Sequence, residues 1–303
     1  MSINNQESSK LIFKNGVYQG SKLAALLFNI YIDDITEIDR ENIYLYADDM
    51  CIVVNSTIEN EVYEKANNIL IKVKKWMDNN KLSINIAKSK YMIVTNKNLK
   101  NDEIKVKINN EILEKVTCYK YLGIFIDNKL NWKIHKQYIK KKIKAFIPGI
   151  FELKMYFNYK QLLTIFQQNI YPIIKYGIEI YGSKNENKEM NQIMRKIINI
   201  ITLNADMDEN EKINIIKKFD LNRLYTIQWL TIIHKSIYNN RILPKYYKNY
   251  FELKQNRNGV IIKLFIEKII TVTKNHVISH MIAGIIYLKK HEVKMIITNL
   301  CHF

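Results

Sequence analysis

The sequence predicts an α+β fold, with an antiparallel sheet and packed helices in the first part of the chain and helices in the rest. Two apolar runs rich in β-branched and aromatic residues flank an acidic pair between Tyr46 and Met50, which is typical of two short strands joined by a turn. After Leu130, apolar residues recur mainly at helical spacing. The 303 residues, 48% of them hydrophobic, suffice for a sizeable core and for more than one domain.

The first helices are predicted from capping and periodicity. Gly16 and Gly20 bracket a short turn, and Ser21 has a side chain that favours a helix N-cap. Apolar residues at helical spacing then predict a helix to about Ile35. A second helix is predicted over residues 59–79 because apolar side chains share one face. These side chains are Val62, Ala66, Ile69, Leu70, Val73, Trp76 and Met77.

The residue pattern in the middle of the chain predicts several short strands. They cover residues 83–86, 91–95, 104–108, 112–113 and 116–126. Asn109-Asn110 is typical of a hairpin turn, and the last of these segments is predicted to be a strand pair with its bend at Gly123. We expect a domain boundary near Asn128, because helical patterns dominate beyond it.

The chain is strongly basic. It contains 47 lysine and arginine residues against 29 aspartate and glutamate residues, a formal net charge of +18. Such an excess favours a polyanionic partner, with nucleic acid ahead of a membrane surface. An AT-rich gene, in which lysine, asparagine and isoleucine are frequent, is the alternative explanation for part of the lysine excess.

The cysteines and the apolar segments limit the cellular compartments in which the protein is expected. Cys51, Cys118 and Cys301 are far apart and form no CxxC pair, so a zinc ribbon is not expected. Few, scattered cysteines favour a reducing intracellular compartment, without distinguishing nucleus from cytoplasm. The polar residues 1–10 do not resemble a signal peptide, and the longest apolar stretch, residues 277–288, is too short to span a bilayer. We therefore expect no membrane partner.

Asp48 and Asp49 are the strongest candidates for chemistry. Successive side chains of a strand point to opposite faces, so adjacent carboxylates converge only at a turn. Two like charges held together raise each other's pKa unless a cation lies between them. Mg²⁺ is the natural cation, since it takes carboxylate oxygens and substrate phosphates together. An ordinary surface hairpin turn is the alternative, because Asp is a common turn residue.

Further motifs stand in order around this acidic pair. They are Gly16-Val17-Tyr18-Gln19-Gly20-Ser21, the helix ending Phe28-Asn29-Ile30-Tyr31-Ile32-Asp33-Asp34, the segment Trp76–Asn79 with Leu82, Asn85 and Lys88-Ser89-Lys90, and Lys120-Tyr121-Leu122-Gly123-Ile124 with Ile126-Asp127, Leu130, Trp132 and His135. Together with Tyr46-Ala47-Asp48-Asp49, this ordered set resembles the palm motifs of reverse transcriptases from non-LTR retrotransposons of the LINE and jockey type. The resemblance covers residues 11 to 150, and its specificity lies in the order and spacing of the motifs.

The resemblance implies a fold and an activity. It implies a partial palm over residues 1–128, an α-helical thumb over 129–200 and a helical C-terminal extension of unknown role over 201–303. The implied activity is RNA-directed DNA polymerisation, a nucleotidyl transfer assisted by two Mg²⁺ ions. Asp48 and Asp49 would be metal ligands, with Asp48 the surer of the two. The implied partners are an RNA template, a DNA primer and a dNTP.

The resemblance also suggests binding residues, each with a structural alternative. Gln19 and Gly20 would bring backbone N–H groups against the nucleotide or template. Tyr46 would stack or pack beneath the nucleotide sugar, or else be a core aromatic. Lys88, ahead of Lys90, would lie near the departing pyrophosphate, or else be a solvated loop lysine.

Two later segments have implied contacts with nucleic acid. The turn Tyr121-Leu122-Gly123 would hold the primer end, and a core-packing strand pair is the alternative. The helix after His135 carries Lys136, Lys140, Lys141, Lys142 and Lys144 with no acidic partner nearby in sequence. It would follow the phosphates of a primer–template duplex, whereas an ordinary solvated helix face is the alternative. We expect His135 itself to be structural.

The sequence departs from the family pattern in its first residues. The family has a further metal-binding aspartate on a strand upstream of the Gln19-Gly20 turn, together with a fingers subdomain, and the residues before Gly16 contain neither. Tyr18 stands where the family has proline, and Ala24-Ala25 stands where it has Ser-Pro. We therefore expect an exposed sheet edge and an incomplete two-metal site.

Three interpretations stay open. The chain is the palm–thumb part of a truncated polymerase that is inactive alone, or a remnant or domesticated module that binds nucleic acid without catalysis. In the third interpretation, a second chain supplies the fingers and the missing aspartate.

Overall fold

A computed structural model describes residues 2–3, 6–7, 20–95, 105–182, 187–203, 205–238, 293–298 and 301–302. These residues form one five-stranded sheet, several two-stranded pairs and many packed helices, as the α+β prediction requires. The predicted turn residues Gly16 to Gln19 lie outside the described residues.

The N-terminal elements begin with a short strand pair, β1 (Ser2–Ile3) and β2 (Gln6–Glu7). Helix α1 (Lys22–Ile32) has the predicted N-cap, because the Ser21 Oγ accepts a hydrogen bond of 3.2 Å from the Leu23 N–H. The helix ends short of the predicted Ile35, since the chain tightens into a 3₁₀ helix at Asp33–Ile38.

Strands β3 (Ile43–Tyr46) and β4 (Asp49–Ser56) form the acidic hairpin, and helix α2 (Glu59–Asn79) follows with the bounds that its apolar face predicted. The next strands are β5 (Ser83–Ile84), β6 (Lys90–Val94), β7 (Lys107–Ile108), β8 (Glu111–Ile112), β9 (Glu114–Lys115), β10 (Cys118–Tyr121) and β11 (Ile124–Asp127). The predicted hairpins at Asn109-Asn110 and Gly123 are confirmed, since β7 pairs with β8 and β10 pairs with β11.

Helices follow the β10–β11 hairpin. They are α3 (Lys133–Ala145), α4 (Ile147–Leu153), α5 (Tyr159–Ile165), α6 (Tyr171–Lys175), α7 (Ile178–Tyr181), α8 (Lys188–Thr202), α9 (Glu209–Lys218) and α10 (Leu221–Tyr238), with a π-helical turn at Phe166–Ile170. Strands β12 (Val293–Thr298) and β13 (Cys301–His302) end the described chain. Within the described residues, no helix has the length and apolar character needed to cross a bilayer.

The C-terminal strand β12 bears on two expectations. The sheet order is β3-β4-β12-β6-β9, so β12 lies in the interior of the sheet, antiparallel to both of its neighbours. The expectation of an exposed sheet edge did not say where that edge would lie, and the side of β4 away from β3 is covered by β12. The predicted C-terminal extension is also not wholly helical, because the β-branched and apolar residues of β12 pair within the sheet.

The five-stranded sheet separates two cores. On one face, Ile52 and Met295 pack with the apolar side of α2. On the other face, Val53 and Ile296 join one continuous core with the helices from α3 to α10. Sheet and helices thus share buried surface across Asn128, and the domain boundary placed there stays a prediction.

Candidate active site

The acidic hairpin presents its two carboxylates differently. Tyr46 pairs with Asp49, so the turn itself consists of Ala47 and Asp48, and Asp49 is the first residue of β4. The prediction that both aspartates form the turn is corrected in this respect. Ala47 has a left-handed backbone with φ of 50°, which closes the tight two-residue connection. Asp48 is exposed at the tip, whereas Asp49 is half-buried.

Electrostatics favour a cation at this turn. Partial burial raises the pKa of Asp49 above its usual value, and the charge of the neighbouring Asp48 raises that pKa further. Burial penalises the charged form of Asp49 by removing water from it, and the charge of Asp48 adds the cost of a second negative charge beside the first. A divalent cation bound to both carboxylates would remove that cost.

Two tyrosines of β10, the half-buried Tyr119 and the buried Tyr121, lie within electrostatic reach of the turn. The pKa values of Tyr119 and Tyr121 are raised by burial first, and the charge of Asp49 contributes in both cases. The Tyr119 hydroxyl also shares a hydrogen bond with the side chain of Thr298 on β12. The buried Tyr121 hydroxyl has no hydrogen-bond partner among the described residues.

The donor set at the turn fits one Mg²⁺ ion. Mg²⁺ commonly binds through one or two carboxylates and completes its shell with water and substrate phosphates. Asp48 and Asp49 supply those two carboxylates. Within the described ranges, no three His, Cys, Asp or Glu side chains lie together as a metal site. Among the described residues, the turn thus offers two carboxylates to a cation, and the completeness of a two-metal site stays a prediction.

The predicted nucleotide-binding residues are only partly described. Gln19 lies outside the described residues. Gly20 has φ of 90°, and a Cβ built there would meet nothing within 4 Å, so its backbone faces open space. Tyr46 is 59% exposed, which excludes the alternative that it is a core aromatic.

The two candidate lysines differ in their surroundings. Lys88 is exposed in a loop held by Asn85, whose side-chain oxygen accepts a hydrogen bond of 3.0 Å from the Lys88 N–H. Lys90 is half-buried in β6 and forms an ion pair with Glu114. Lys88 is thus the more accessible of the two, in line with its place ahead of Lys90 in the prediction.

The predicted primer-holding turn is anchored from the helical region. Tyr121 is only 1% exposed, so its side chain belongs to the core. Leu122 and Gly123 form the turn with φ of 45° and 84°. The Tyr176 hydroxyl donates a hydrogen bond of 2.6 Å to the Leu122 carbonyl. The turn can present only its backbone and the half-buried Leu122 to a ligand.

Helix α3 buries one side and exposes most of its lysines. Lys141, Lys142 and Lys144 are exposed, and Lys136 and Lys140 are half-buried. Lys140 forms an ion pair with Glu189 of α8, so the expectation of a helix without an acidic partner is wrong for this residue. Glu189 lies far away in the sequence, and only tertiary packing brings it to α3.

His135 is structural, as predicted. Its side chain is 2% exposed, and its Nδ1 accepts a hydrogen bond of 3.3 Å from the Phe125 N–H. Burial and the nearby charges of Lys120 and Lys136 lower the pKa of His135 to about 4. The imidazole is therefore neutral near pH 7 and packs edge-on against Tyr181, with ring centroids 4.7 Å apart.

Sequence reasoning assigned no role to the side chain of Asp127. Its buried carboxylate accepts hydrogen bonds from the backbone N–H groups of Asn131, at 3.1 Å, and Trp132, at 2.8 Å. A third comes from Lys129 at 3.1 Å. These bonds fix the chain between β11 and α3. The sequence signal that could have indicated this role is an aspartate, Asp127, only a few residues before the start of a helix.

Comparison with known proteins agrees with the motifs. The sequence pattern of the reverse transcriptase (RNA-dependent DNA polymerase) family matches residues 1–126. The probable RNA-directed DNA polymerase from transposon X-element of Drosophila melanogaster is 26% identical over 197 residues, covering 62% of this chain and 22% of that protein. The RNA-directed DNA polymerase from mobile element jockey of the same species is 26% identical over 193 residues, covering 60% and 21%.

A third relative extends the same picture. The probable RNA-directed DNA polymerase from transposon BS of Drosophila melanogaster is 24% identical over 216 residues, which cover 66% of this chain and 24% of that protein. The chain thus spans between a fifth and a quarter of the length of these relatives. No solved structure matches it. Residues 1–126 therefore carry the reverse transcriptase family pattern, and the chain is similar to the RNA-directed DNA polymerases of these Drosophila mobile elements.

Proposed function

We propose that this chain carries the palm and part of the thumb of an RNA-directed DNA polymerase, with its metal site at Asp48 and Asp49. The observation that carries the proposal is the acidic hairpin. An exposed and a half-buried carboxylate share one rigid turn, and the pKa of Asp49 is raised there by burial and by Asp48. Such a pair binds a divalent cation more readily than an isolated surface aspartate does.

In this proposal, different residues would bind the metal ion, the nucleotide and the departing pyrophosphate. Asp48 and Asp49 would hold Mg²⁺, which when bound stabilises charge on the phosphate oxygens of the primer end and the dNTP. The open backbone at Gly20 would lie against the nucleotide or template, and Tyr46 would offer an exposed ring to the sugar. Lys88 would balance charge on the departing pyrophosphate.

Helix α3 would bind the template–primer duplex through its phosphates. Lys141, Lys142 and Lys144 are exposed on it. The ring of Tyr138 lies 4.9 Å from the Lys142 Nζ and 5.3 Å from the Lys120 Nζ, which concentrates positive charge beside the β10–β11 turn. Phosphate contacts of this kind position a duplex without reading its sequence.

Primer extension on an RNA template tests the catalytic proposal. The purified chain is compared with Asp48→Asn/Asp49→Asn, in Mg²⁺ and in EDTA. The matched control is Asp33→Asn/Asp34→Asn, because these adjacent aspartates are also exposed but lie at the end of α1. The control variant therefore removes the same number of negative charges as Asp48→Asn/Asp49→Asn, but away from the hairpin.

The expected result is Mg²⁺-dependent extension by the wild type and by the control, and its loss in the Asp48→Asn/Asp49→Asn variant. Extension that survives in that variant would overturn the assignment of the metal site. If neither the wild type nor the control extends a primer, the chain alone is not a polymerase, and the second function below becomes the better description.

The second candidate function is binding of nucleic acid without catalysis. It is favoured by the exposed Lys141, Lys142 and Lys144 of α3 and by the formal net charge of +18, which suit a polyanion whether or not the acidic hairpin is catalytic. In the first candidate function, a second chain or a further part of a longer protein would supply the fingers and another carboxylate. In either case we propose an intracellular site of action.

Salt-dependent binding of an RNA–DNA hybrid tests the proposed role of α3. Replacing Lys141, Lys142 and Lys144 by glutamine should lower affinity and reduce the salt slope by about 0.9 for each phosphate that the helix no longer neutralises. Replacing Lys65, Lys72 and Lys75 by glutamine is the matched control, because these exposed lysines lie on α2, which covers the opposite face of the sheet. Equal decreases in affinity for the two variants would contradict a specific role for α3.

A further inference from the structure

The strands β4 and β6 are not hydrogen-bonded neighbours in the five-stranded sheet, and we call the space between them the central slot. Strand β12 fills it. Residues Val293–Thr298 pair with Ser56–Cys51 of β4, and Lys294–Thr298 pair with Val94–Lys90 of β6. Without β12, both neighbouring strands would present unpaired backbone groups toward each other.

A strand in the central slot must fit the cores on both faces of the sheet. Met295 and Ile297 are fully buried in the core beneath α2, and Ile296 is 3% exposed in the opposite core. Alternate side chains therefore enter different cores, so a shift by one residue would exchange every one of them. An occupant must be extended, apolar on the face of Met295 and Ile297, and able to bury Ile296 between two polar side chains, Lys294 and Thr298, on the other face. Residues 293–298 meet both requirements.

The occupant is joined to the rest of the fold by a long stretch of chain. Helix α10 ends at Tyr238 and β12 begins at Val293, so residues 239–292 lie between them. The backbone pairs and the core contacts of β12 are the same whether the strand comes from its own chain or from a second copy. The advantage of the chain's own strand is its effective concentration, which falls as the number of residues between the strand and the rest of the fold increases.

We propose that the central slot is a strand-acceptor site that also binds residues 293–298 of a second copy, giving a strand-exchanged dimer as protein concentration rises. In that dimer Thr298 of the second copy would meet the Tyr119 hydroxyl, so each copy contributes a side chain beside a tyrosine within electrostatic reach of the other's acidic hairpin. This inference does not depend on the polymerase function, since it concerns strand pairing alone.

The register supplies a test in the full-length chain. Thr298 lies opposite Cys51, and cross-strand neighbours fall within the Cα separation that a disulfide spans. The variant Thr298→Cys is made with Cys118→Ser and Cys301→Ser, so that Cys51 is the remaining native thiol. Chains labelled with ¹⁴N and with ¹⁵N are mixed, incubated from low micromolar to several hundred micromolar, oxidised and digested, and the 51–298 disulfide peptide is read by mass spectrometry.

The expected result is a 51–298 peptide in both same-isotope and mixed-isotope forms, with the mixed share rising several-fold over the concentration series. A second variant moves the native thiol by Cys51→Ser/Val53→Cys. It should give little of the corresponding peptide, because Val53 lies opposite Ile296. Same-isotope peptide alone at every concentration would overturn the exchange, and absence of any 51–298 peptide would overturn the strand's place in the slot.

Discussion

The hydroxyl of Tyr176 donates a hydrogen bond of 2.6 Å to the carbonyl of Leu122, which joins the end of α6 to the turn of the β10–β11 hairpin. Leu122 and Gly123 both have left-handed backbones, so this turn is costly to form from ordinary residues. The contact therefore links the helical region to the hairpin whose strand β10 carries Tyr119 and Tyr121 within electrostatic reach of the acidic pair.

Removing this hydrogen bond should destabilise the protein modestly. We expect Tyr176→Phe to lower the free energy of unfolding by about 0.5–1.5 kcal/mol, since the Leu122 carbonyl loses its partner while the ring stays. Urea unfolding followed by circular dichroism measures the change. Tyr156→Phe is the control, because Tyr156 is 78% exposed. Equal effects from the two substitutions would contradict a structural role for the Tyr176 hydroxyl.

A side chain at Gly123 should be more costly. Gly123 has φ of 84°, and a Cβ there would lie 3.3 Å from the Tyr176 Cε1. We expect Gly123→Ala to destabilise by about 1–2 kcal/mol, because L-residues avoid this backbone region. Gly149→Ala is the matched control, since Gly149 lies within α4 with open space around it. That control should be neutral or stabilising by up to about 1 kcal/mol. A loss of stability in the control as large as that of Gly123→Ala would count against strain at the turn.

Asp49→Asn should stabilise the metal-free protein at neutral pH. The folded-state pKa of Asp49 is raised above its ordinary value of 3.8, first by burial and then by Asp48. The contribution of this residue to stability is therefore full below pH 3.8 and is lost as pH rises through the folded-state pKa. Replacing the carboxyl with an amide removes that loss, so the advantage of the variant should shrink on acidification.

Urea unfolding over a pH series measures the effect, with Asp33→Asn as an exposed control. Adding Mg²⁺ should also reduce the advantage, because the ion stabilises the wild type preferentially. A gain in stability that is independent of both pH and Mg²⁺ would show that the carboxylates of the hairpin are not electrostatically coupled to each other or to a metal.

Asp127→Asn should be among the most damaging polar substitutions. The Asp127 carboxylate is 5% exposed and accepts backbone hydrogen bonds before α3. An amide NH₂ would face those N–H donors, so we expect a loss of about 1.5–3 kcal/mol. Chemical unfolding measures it, beside Asp206→Asn at an exposed position. A loss below that of the control would mean that Asp127 does not hold the connection to α3.

Local patterns in the sequence determined much of the fold. Helix α2 was predicted with its observed bounds, because one apolar face of the required width runs from Glu59 to Asn79. Ser21 caps α1, and Asn109 and Gly123 mark hairpin turns with positive φ, as their residue types indicate. The acidic pair at Asp48-Asp49 was likewise readable from the sequence, and the order and spacing of the surrounding motifs carried the resemblance to reverse transcriptases.

Tertiary structure alone decided how distant segments meet. A strand's pattern gives its faces but not its partners, so nothing near residues 293–298 predicted their place between β4 and β6. The pairing of Lys140 with Glu189, and of Tyr176 with Leu122, likewise depends on packing between remote elements. The sequence by itself determined the chemical groups and the local turns that hold them, because these depend on neighbours in the chain. The interior strand and the position of Tyr119 and Tyr121 relative to Asp49 were decided by long-range pairing, which only the folded chain brings about.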